Sequence, residues 1–593
     1  MSGKQSKIKR QFVQSQIKLR NYIHVHDKVI GVLLAVLVGI VVALAAIGFR
    51  YLINFTQLFA LGDFSENIFD FIINVEWWKI LVSTVSGGCV VSLIYFFLMG
   101  GKRAGSIAEV MEANTYNNTK MSTRQGIFSS ITAAIALGTG SSAGREGPVV
   151  HLGATLSSFV SRRLHLSQKM SRTLFGCGVA AAISASFNAP IAGVFFALEV
   201  ILGHYALHAF APIVISSVTA AIISRIHFGD YPAFIIPDYQ IVSFLEFPAF
   251  LILGAVSALA AIIMTKSIFF TEDFASKIPI PEWARPPIGG LLVGLIALIC
   301  PFVLGAGYGT TDAALKNILS IDLLFILIIA KIAATSICIA FRYGTGIFSP
   351  SLVLGAVMGS AFGYLATLAF PDLASNSGLY AIVGMGAVSS AILGAPISTI
   401  LIIFELTGDY QITLALMVAV VTANLITHHF LKSTSFFHLQ LKRKGKDFEG
   451  GRAMNLSRQV LVKKIMKQDF ATVGGDTDID RIKELIINLR YNNLFVLDDN
   501  FIIHGIITLT ELRESYQQND ELTDQNAATI CRRQTFHLSP NDTLEQAIYL
   551  FKQTGEDRIA VISDDDQAEI VGVLSHRNLL RTYNKVLIEA EEG

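Results

Sequence analysis

The chain has 593 residues, 52% of them hydrophobic, with 46 Lys and Arg against 45 Asp and Glu. That length exceeds one ordinary domain, and a mean hydropathy of +0.55 excludes a uniformly soluble protein. The net charge of +1 excludes little by itself, because its distribution says more than its sum.

Apolar stretches dominate from about Val29 to Leu431, and the region after Lys442 is polar and charged. Before the first apolar run lie Lys4, Lys7, Lys9, Arg10, Lys18, Arg20 and Lys28 against a single Asp27. After the last come Lys442, Arg443, Lys444 and Lys446. The positive-inside rule then predicts cytoplasmic termini, and the basic N-terminus reads as a topology signal rather than a nucleic-acid patch. No cleavable signal peptide is visible, since the first apolar run is too long and lacks a small-residue cleavage site. The reading is a polytopic α-helical membrane protein with a soluble C-terminal domain.

The runs Val29–Ile53, Ile80–Met99 and Leu323–Phe341 are long enough to span a bilayer as helices. Between them the pattern breaks into shorter pieces: Gly126–Leu137, Val149–Val160, Leu174–Ile183, Ile191–Leu202 and Pro212–Ile223. Further long spans are predicted at Ala249–Thr265 and Pro287–Leu304. A second broken set follows at Ser351–Phe370, Tyr380–Leu393 and Ile397–Leu406, before a span at Leu414–Leu431. Non-helical backbone at membrane depth is tolerated only where it lines a cavity or is covered by protein. The five cysteines form no CxxC or Cys/His spacing, so neither a disulfide framework nor a metal site is implied.

In the first broken set, Gly144-Arg145-Glu146-Gly147-Pro148 places a charged pair among apolar segments. Such a pair costs several kcal/mol unless it faces protein, water or a substrate path. Proline just inside a helix start is tolerated because its missing N–H has no intrahelical partner. The stretch therefore reads as a loop delivering bare amides and a carboxylate to a helix mouth, where the dipole favours anions. A carboxylate there is an internal anion that an external one can displace.

Pro148-Val149-Val150-His151-Leu152-Gly153-Ala154 recurs as Pro350-Ser351-Leu352-Val353-Leu354-Gly355-Ala356, about 200 residues on. Ala189-Pro190-Ile191 with Glu199 recurs as Ala395-Pro396-Ile397 with Glu405. Two matched pairs in the same order predict an internal two-fold repeat with its site at the repeat interface. Identities alone leave open whether the halves are inverted.

Past a basic linker at 442–455, a second repeat has a period of about 66 residues. Asp476-Thr477, a helical pattern (Ile479, Ile482, Leu485, Ile486), Leu494–Leu497 and Gly505–Thr508 match Asp542-Thr543, Leu544–Phe551, Ile559–Ile562 and Gly572–Ser575. Each unit leaves an apolar face that its tandem copy covers. The pair resembles tandem CBS domains, a regulatory module. The expected layout is a basic N-terminus (1–28), a transmembrane domain (29–441), the linker (442–455) and the CBS pair (456–593).

The GREGP run, Phe187–Glu199 (FNAPIAGVFFALE) and Gly344–Ala356 (GTGIFSPSLVLGA) resemble the CLC family of chloride channels and chloride/proton exchangers. With the CBS pair the likeness covers nearly the whole chain, from about Val29 to Leu587. It implies an inverted repeat with broken helices, an integral protein of the plasma or cell inner membrane, a homodimer with one pathway per subunit, and chloride as substrate. It also implies Glu146 as the gate and anion contacts around Gly144, Arg145, Gly147, Ile347 and Phe348, with Arg145 chiefly a structural counter-charge. No cofactor is required and no enzyme constellation is visible.

The sequence departs from the family pattern in three places. The family's anion-contacting serine aligns with Gly105, and Ser106 sits one position late. The tyrosine that donates its hydroxyl to the central anion falls at Phe437, which has none to offer. The internal proton-transfer glutamate aligns with Val200, leaving Glu199 a structural hydrogen-bond or ion-pair partner. These departures lead us to expect passive or weakly coupled anion conduction, with chloride/proton antiport as the alternative and a CBS-regulated divalent-cation transporter as a remote third. Lys331 is expected in a structural ion pair, His151 as a satisfied helix histidine, and Glu405 and Asp409 in packing roles. In the CBS pair, Thr508 and Ser575 match the nucleotide-binding pattern, but its terminal Asp is replaced by Glu511 and Asn578. Adenine nucleotide or a purely bridging role are both open there.

Overall fold

The computed structural model describes residues 27–65, 67–205, 207–229, 234, 237, 239–446, 451–488, 493–498, 503–518, 525–533, 536–564 and 569–592. The basic residues Lys4 to Arg20 lie outside them. The chain divides into two compact units, residues 1–446 and 447–593.

Among the described residues, the first unit is built of helices and the loops that join them. It opens with α1 (Asp27–Leu61), α2 (Trp77–Phe97), α3 (Ile107–Thr115), α4 (Thr123–Gly138), α5 (Glu146–Arg163), α6 (Gln168–Phe187), α7 (Pro190–Phe196) and α8 (Leu207–Phe228). It continues with α9 (Phe247–Lys277), α10 (Arg285–Ile299), α11 (Tyr308–Leu315), α12 (Ile321–Ala340), α13 (Phe348–Ala369), α14 (Ser377–Leu393), α15 (Pro396–Thr407), α16 (Tyr410–Leu431) and α17 (Phe436–Arg443). Among the described residues, eight helical stretches are long and apolar enough to cross a membrane. On α1, Leu33, Leu37 and Leu44 are exposed while Ala35, Val38 and Val42 are buried, the pattern of a helix with one protein face and one lipid face.

Several segments are longer than their apolar runs predict. Leu174–Ile183 belongs to α6, 20 residues long, Val149–Val160 to α5, 18 residues long, and Pro212–Ile223 to α8, which continues through Pro212. They extend through polar or proline residues that interrupt an apolar window but not a helix packed on neighbours.

The repeat has a physical basis in glycine. A Cβ on Gly153 would stand 2.3 Å from the Gly178 carbonyl oxygen, and one on Gly178 would stand 2.4 Å from that of Gly153. In the second half the same reciprocal approach joins Gly355 and Gly384, at 2.4 and 2.5 Å. The L-G-A motif thus marks where α5 crosses α6 and α13 crosses α14 backbone to backbone, the close approach that small residues permit between membrane helices.

The short helices α7 and α15 run antiparallel. Glu405 accepts from the Ile191 and Ala192 amides at 2.9 and 2.8 Å, and Glu199 accepts from the Ile397 and Ser398 amides at 3.0 and 2.8 Å. Each N-terminus has unpaired donors, and each repeat supplies the carboxylate that satisfies the other. Asp409 caps α16 through the Ile412 amide at 2.8 Å.

The second unit contains a four-stranded sheet, ordered β1 (Thr472–Gly474), β2 (Asn493–Leu497), β3 (Ile503–Thr508) and β4 (Arg532–Arg533), and a hairpin of β5 (Arg558–Ile562) and β6 (Ile570–Ser575). Register irregularities fall at matching places, Val496/Leu497 and Val561/Ile562. Phe495 and Ile506 of the first copy form one cluster with Ala560, Ile570 and Val573 of the second. The tandem copies therefore bury their apolar faces together. The segment read as a linker holds the end of α17, and Gly451–Ser457 is helical.

Candidate functional site

The loop from Thr139 to Arg145 joins α4 to α5 and is buried throughout. It is tied to the second repeat by side chains, with Ser142 meeting Cys338 and Thr335, and by backbone: the Gly144 amide donates to the Gly346 carbonyl at 2.9 Å. Gly346 has φ +100°, and a Cβ there would stand 2.4 Å from the Gly144 carbonyl oxygen. Only glycine meets both demands.

Glu146 begins α5 and is 0% exposed. Its Oε1 accepts the Tyr308 hydroxyl at the start of α11, and its Oε2 accepts the Ser349 hydroxyl in the first turn of α13 at 2.5 Å. The position of a Cβ on Gly144 lies 3.2 Å from both Glu146 Oε2 and the Phe348 amide nitrogen, and 3.1 Å from that of Ser349. The carboxylate thus lies close to the N-terminus of α13 as well as heading its own helix, where two dipoles favour negative charge. A buried carboxylate is tolerable only with donors of this kind.

Arg145 stands behind this arrangement. Its Nε donates to the Tyr308 oxygen at 3.0 Å and lies 3.9 Å from Glu146 Oε1. Its Nη2 donates to the Ser186 carbonyl at 3.2 Å, and its guanidinium carbon sits 4.1 Å over the Tyr308 ring. Tyr308 therefore accepts from a cation while donating to an anion, which polarises its O–H toward Glu146.

A narrow cleft runs up to this site. Ser106, Gly147, Ile347 and Phe437 line it together, from four separate helix starts. Arg103, Arg342 and Lys444 line it as well, against a single carboxylate, Glu109. Arg103 is paired with Glu272 at 2.6 Å and Arg342 with Glu282 at 2.8 Å. Phe437 presents a ring and no hydroxyl, and Phe348 is buried against Phe187 and Phe196.

Gly105 is occupied in an unexpected way. A Cβ there would stand 2.2 Å from His151 Nε2, so the imidazole fills the room of the missing side chain. Val200 is buried inside a π-helical segment, Ala197–Leu202, that continues α7, and Glu199 beside it is committed to α15.

Two expectations need correction. Lys331 is 1% exposed, but among the described residues it bonds the Val303 and Gly305 carbonyls at 3.0 and 3.3 Å rather than a carboxylate. These carbonyls belong to the turn that launches Tyr308, where lone pairs are already available. His151 is not fully satisfied: Nε2 lies 3.5 Å from Glu109 Oε2, and Nδ1 has no hydrogen-bond partner among the described residues. Sequence reading missed Tyr308 and Ser349. The second was legible, since it lies inside the GTGIFSP motif; the first is marked only by the glycines around it.

In the second unit, Glu511 accepts from the Thr508 amide at 2.8 Å, from the Thr508 hydroxyl, and from Arg532 Nε at 2.9 Å. Burial opposes its charge, yet the Thr508 and Arg532 bonds outweigh this and hold its carboxyl below the usual range. Arg532 also reaches Glu556 at 2.9 Å, so it bridges the two copies. In the second copy the Asn578 amide donates to Ser575 Oγ at 3.3 Å.

Fold and site together define a membrane transport protein of the two-repeat, broken-helix class. The family model described as voltage-gated chloride channel matches residues 87–428, and that of the CBS domain matches 462–517 and 527–585. The chain belongs to the voltage-gated chloride channel (CLC) family and carries a tandem CBS pair. It is 29% identical over 579 residues to chloride channel protein CLC-e of Arabidopsis thaliana, covering 86% of this chain and 81% of that one. It is 31% identical over 419 residues to a ClcB-like chloride channel protein of Ralstonia nicotianae, covering 70% and 97%. It is 31% identical over 302 residues to the H(+)/Cl(-) exchange transporter ClcA of Vibrio cholerae, covering 49% and 64%. Among solved structures, a slow cyanobacterial Cl-/H+ antiporter superposes with TM-score 0.63 at 19% identity, over 70% of this chain and 97% of that one. A eukaryotic CLC transporter gives 0.60 at 18%, over 92% and 97%. Both show the same fold.

Proposed function

We propose that this protein carries chloride and similar anions across a membrane through a path gated by Glu146, in a passive or weakly coupled mode. The observation that carries this is the fully buried Glu146 carboxylate, held by Tyr308 and Ser349 at the head of the cleft. The donors that hold a carboxylate also suit chloride, so the two compete for one place. Protonating Glu146 removes its claim on the dipoles and frees the place for an anion. Gly105, Ser106, Gly144, Arg145, Gly147, Ile347, Phe348 and Phe437 form the surrounding wall, with backbone amides rather than a Phe437 hydroxyl as ligands. Val200 takes no proton, and Glu199 already serves as a helix cap. Together these favour the uncoupled mode.

Chloride/proton exchange is the second reading, supported by the relative named as an H(+)/Cl(-) exchange transporter and the likeness to an antiporter fold. Simultaneous chloride and proton flux from purified protein in liposomes separates the two. Chloride movement that drives no uphill proton transport is expected; uphill proton movement overturns the uncoupled mode. Family membership argues against the divalent-cation reading. We further place the protein as a homodimer in a plasma or inner membrane with cytoplasmic termini. The CBS pair acts there as a bridging regulatory module, since Glu511 is already engaged by Thr508 and Arg532 and offers no free carboxylate to a nucleotide ribose.

A further inference from the structure

Gly105, where the family pattern has a serine, leaves a gap that His151 fills from the neighbouring helix. His151 is 3% exposed and lies on α5, on the turn after Glu146. Its Nε2 faces Glu109 at 3.5 Å, and Glu109 in turn lines the cleft with its side chain 27% exposed. With its proton on Nε2, 3.5 Å from the carboxylate, the ring keeps an Nδ1 acceptor with no partner among the described residues. A buried imidazole with one engaged and one open nitrogen, reached from solvent through a carboxylate, is chemically a proton acceptor.

Charged and titratable groups with described side chains on the elements packed against α5 are Glu109 and Glu112 on α3, Arg124 on α4, Lys169, Arg172 and Cys177 on α6, Arg50 and Tyr51 on α1 and Tyr364 on α13. Glu112 pairs with Lys446 and Arg172 bonds the Asn114 carbonyl. On α5 itself, Arg162 and Arg163 belong to the last turn, and Glu146 is held by Tyr308 and Ser349. Among the described residues, Glu109 is the charged group paired with His151.

We propose that the Glu109–His151 pair is a proton-binding site in the wall of the cleft, and that it sets the charge an anion meets there. Unprotonated, the pair is a net negative charge facing the path; with one proton taken from water in the cleft, it is neutral. Acidification on the side where α17 leaves the membrane unit therefore favours anion occupancy by roughly tenfold, the scale of one charge removed at a partly screened distance. The same water takes the proton back. The proposal about anions rests on the cleft being the anion path; the proton site itself does not.

Two measurements on the full-length protein test this. The first is a pH titration of the 15N-histidine resonances in detergent, with His151 assigned by H151Q. The His151 ring nitrogens are expected to respond to pH, and to respond differently in E109Q, which keeps the imidazole and its packing. No titration of His151, or an identical titration in E109Q, overturns the proton site. The second is chloride flux in the E146Q background, where the gate no longer titrates. Flux is expected to rise roughly tenfold on acidifying that side, and to become flat and high in E146Q/E109Q. A His151 titration as expected, with flux indifferent to it, supports the proton site and overturns the anion-path reading.

Discussion

Glu199 and Glu405 exchange places as helix caps: each closes the N-terminus of the helix that carries the other. The two helices are antiparallel, so neither can shift along its axis without breaking both sets of bonds. Glu405→Ala leaves two amides of α7 unsatisfied, and each bond to a charged group is worth about 1.5–3 kcal/mol. A clear fall in the thermal midpoint of the purified protein is expected, and Glu199→Ala should match or exceed it, because Glu199 also holds the Ser398 hydroxyl. An unchanged midpoint in both variants would show that the caps are dispensable.

Glu146→Gln should give, at neutral pH, the chloride flux that the native protein reaches only in acid. Its flux should also lose the part of the pH dependence that belongs to the gate. A Gln variant with the full native pH profile would remove Glu146 from the gating role.

Tyr308→Phe removes the hydroxyl that Glu146 accepts and that Arg145 addresses. Losing one donor to a carboxylate weakens its hold by about 1.5–3 kcal/mol, a shift of roughly ten- to a hundredfold toward release. Flux at neutral pH should rise, with a smaller relative gain on acidification. Liposome flux at two pH values reads this directly.

Gly105→Ser restores the residue of the family pattern but should impair the protein, since its Cβ meets the His151 ring at 2.2 Å. The buried ring must leave for the serine to fit. Combining Gly105→Ser with His151→Ala should recover the folded yield that Gly105→Ser alone loses. If the single variant expresses and transports like the native chain, the imidazole does not occupy that room in solution.

Glu511 gives a pH prediction for the C-terminal unit. Its carboxyl is held below the ordinary glutamate value of 4.5, so its stabilising effect is complete above that value. It is lost as pH falls through the lowered folded-state value. Glu511→Gln should flatten this acid limb in an unfolding titration of the full-length protein followed at the CBS pair. With Glu511 so engaged, ATP, ADP and AMP should leave the thermal stability of the CBS pair unmoved.

Much of this was readable in the chain. Pro148–Ala154 and Pro350–Ala356 announced the repeat, and Gly153 and Gly355 prove to be its crossing points, because local motifs record local backbone demands. The CBS strands were marked by short β-branched runs beside glycine. What escaped notice depends on distant segments meeting. Tyr308 reaches Glu146 across 162 positions, and nothing in its neighbourhood says where α11 begins in space. The fit of His151 against Gly105 is a relation between helices that neither motif contains. Lys331 looked in need of a counter-ion because a sequence shows charge but not the carbonyls of a turn.

The backbone bond between Gly144 and Gly346 bears on how the molecule moves. It fastens one half of the repeat to the other directly beside Glu146, at a contact too tight for any side chain. The frame of the aperture is thereby fixed, and widening it by parting the two halves would break the frame itself. On the gating proposed above, opening is then the turn of one side chain within a fixed frame, a latch in a rigid doorway rather than a pair of swinging walls.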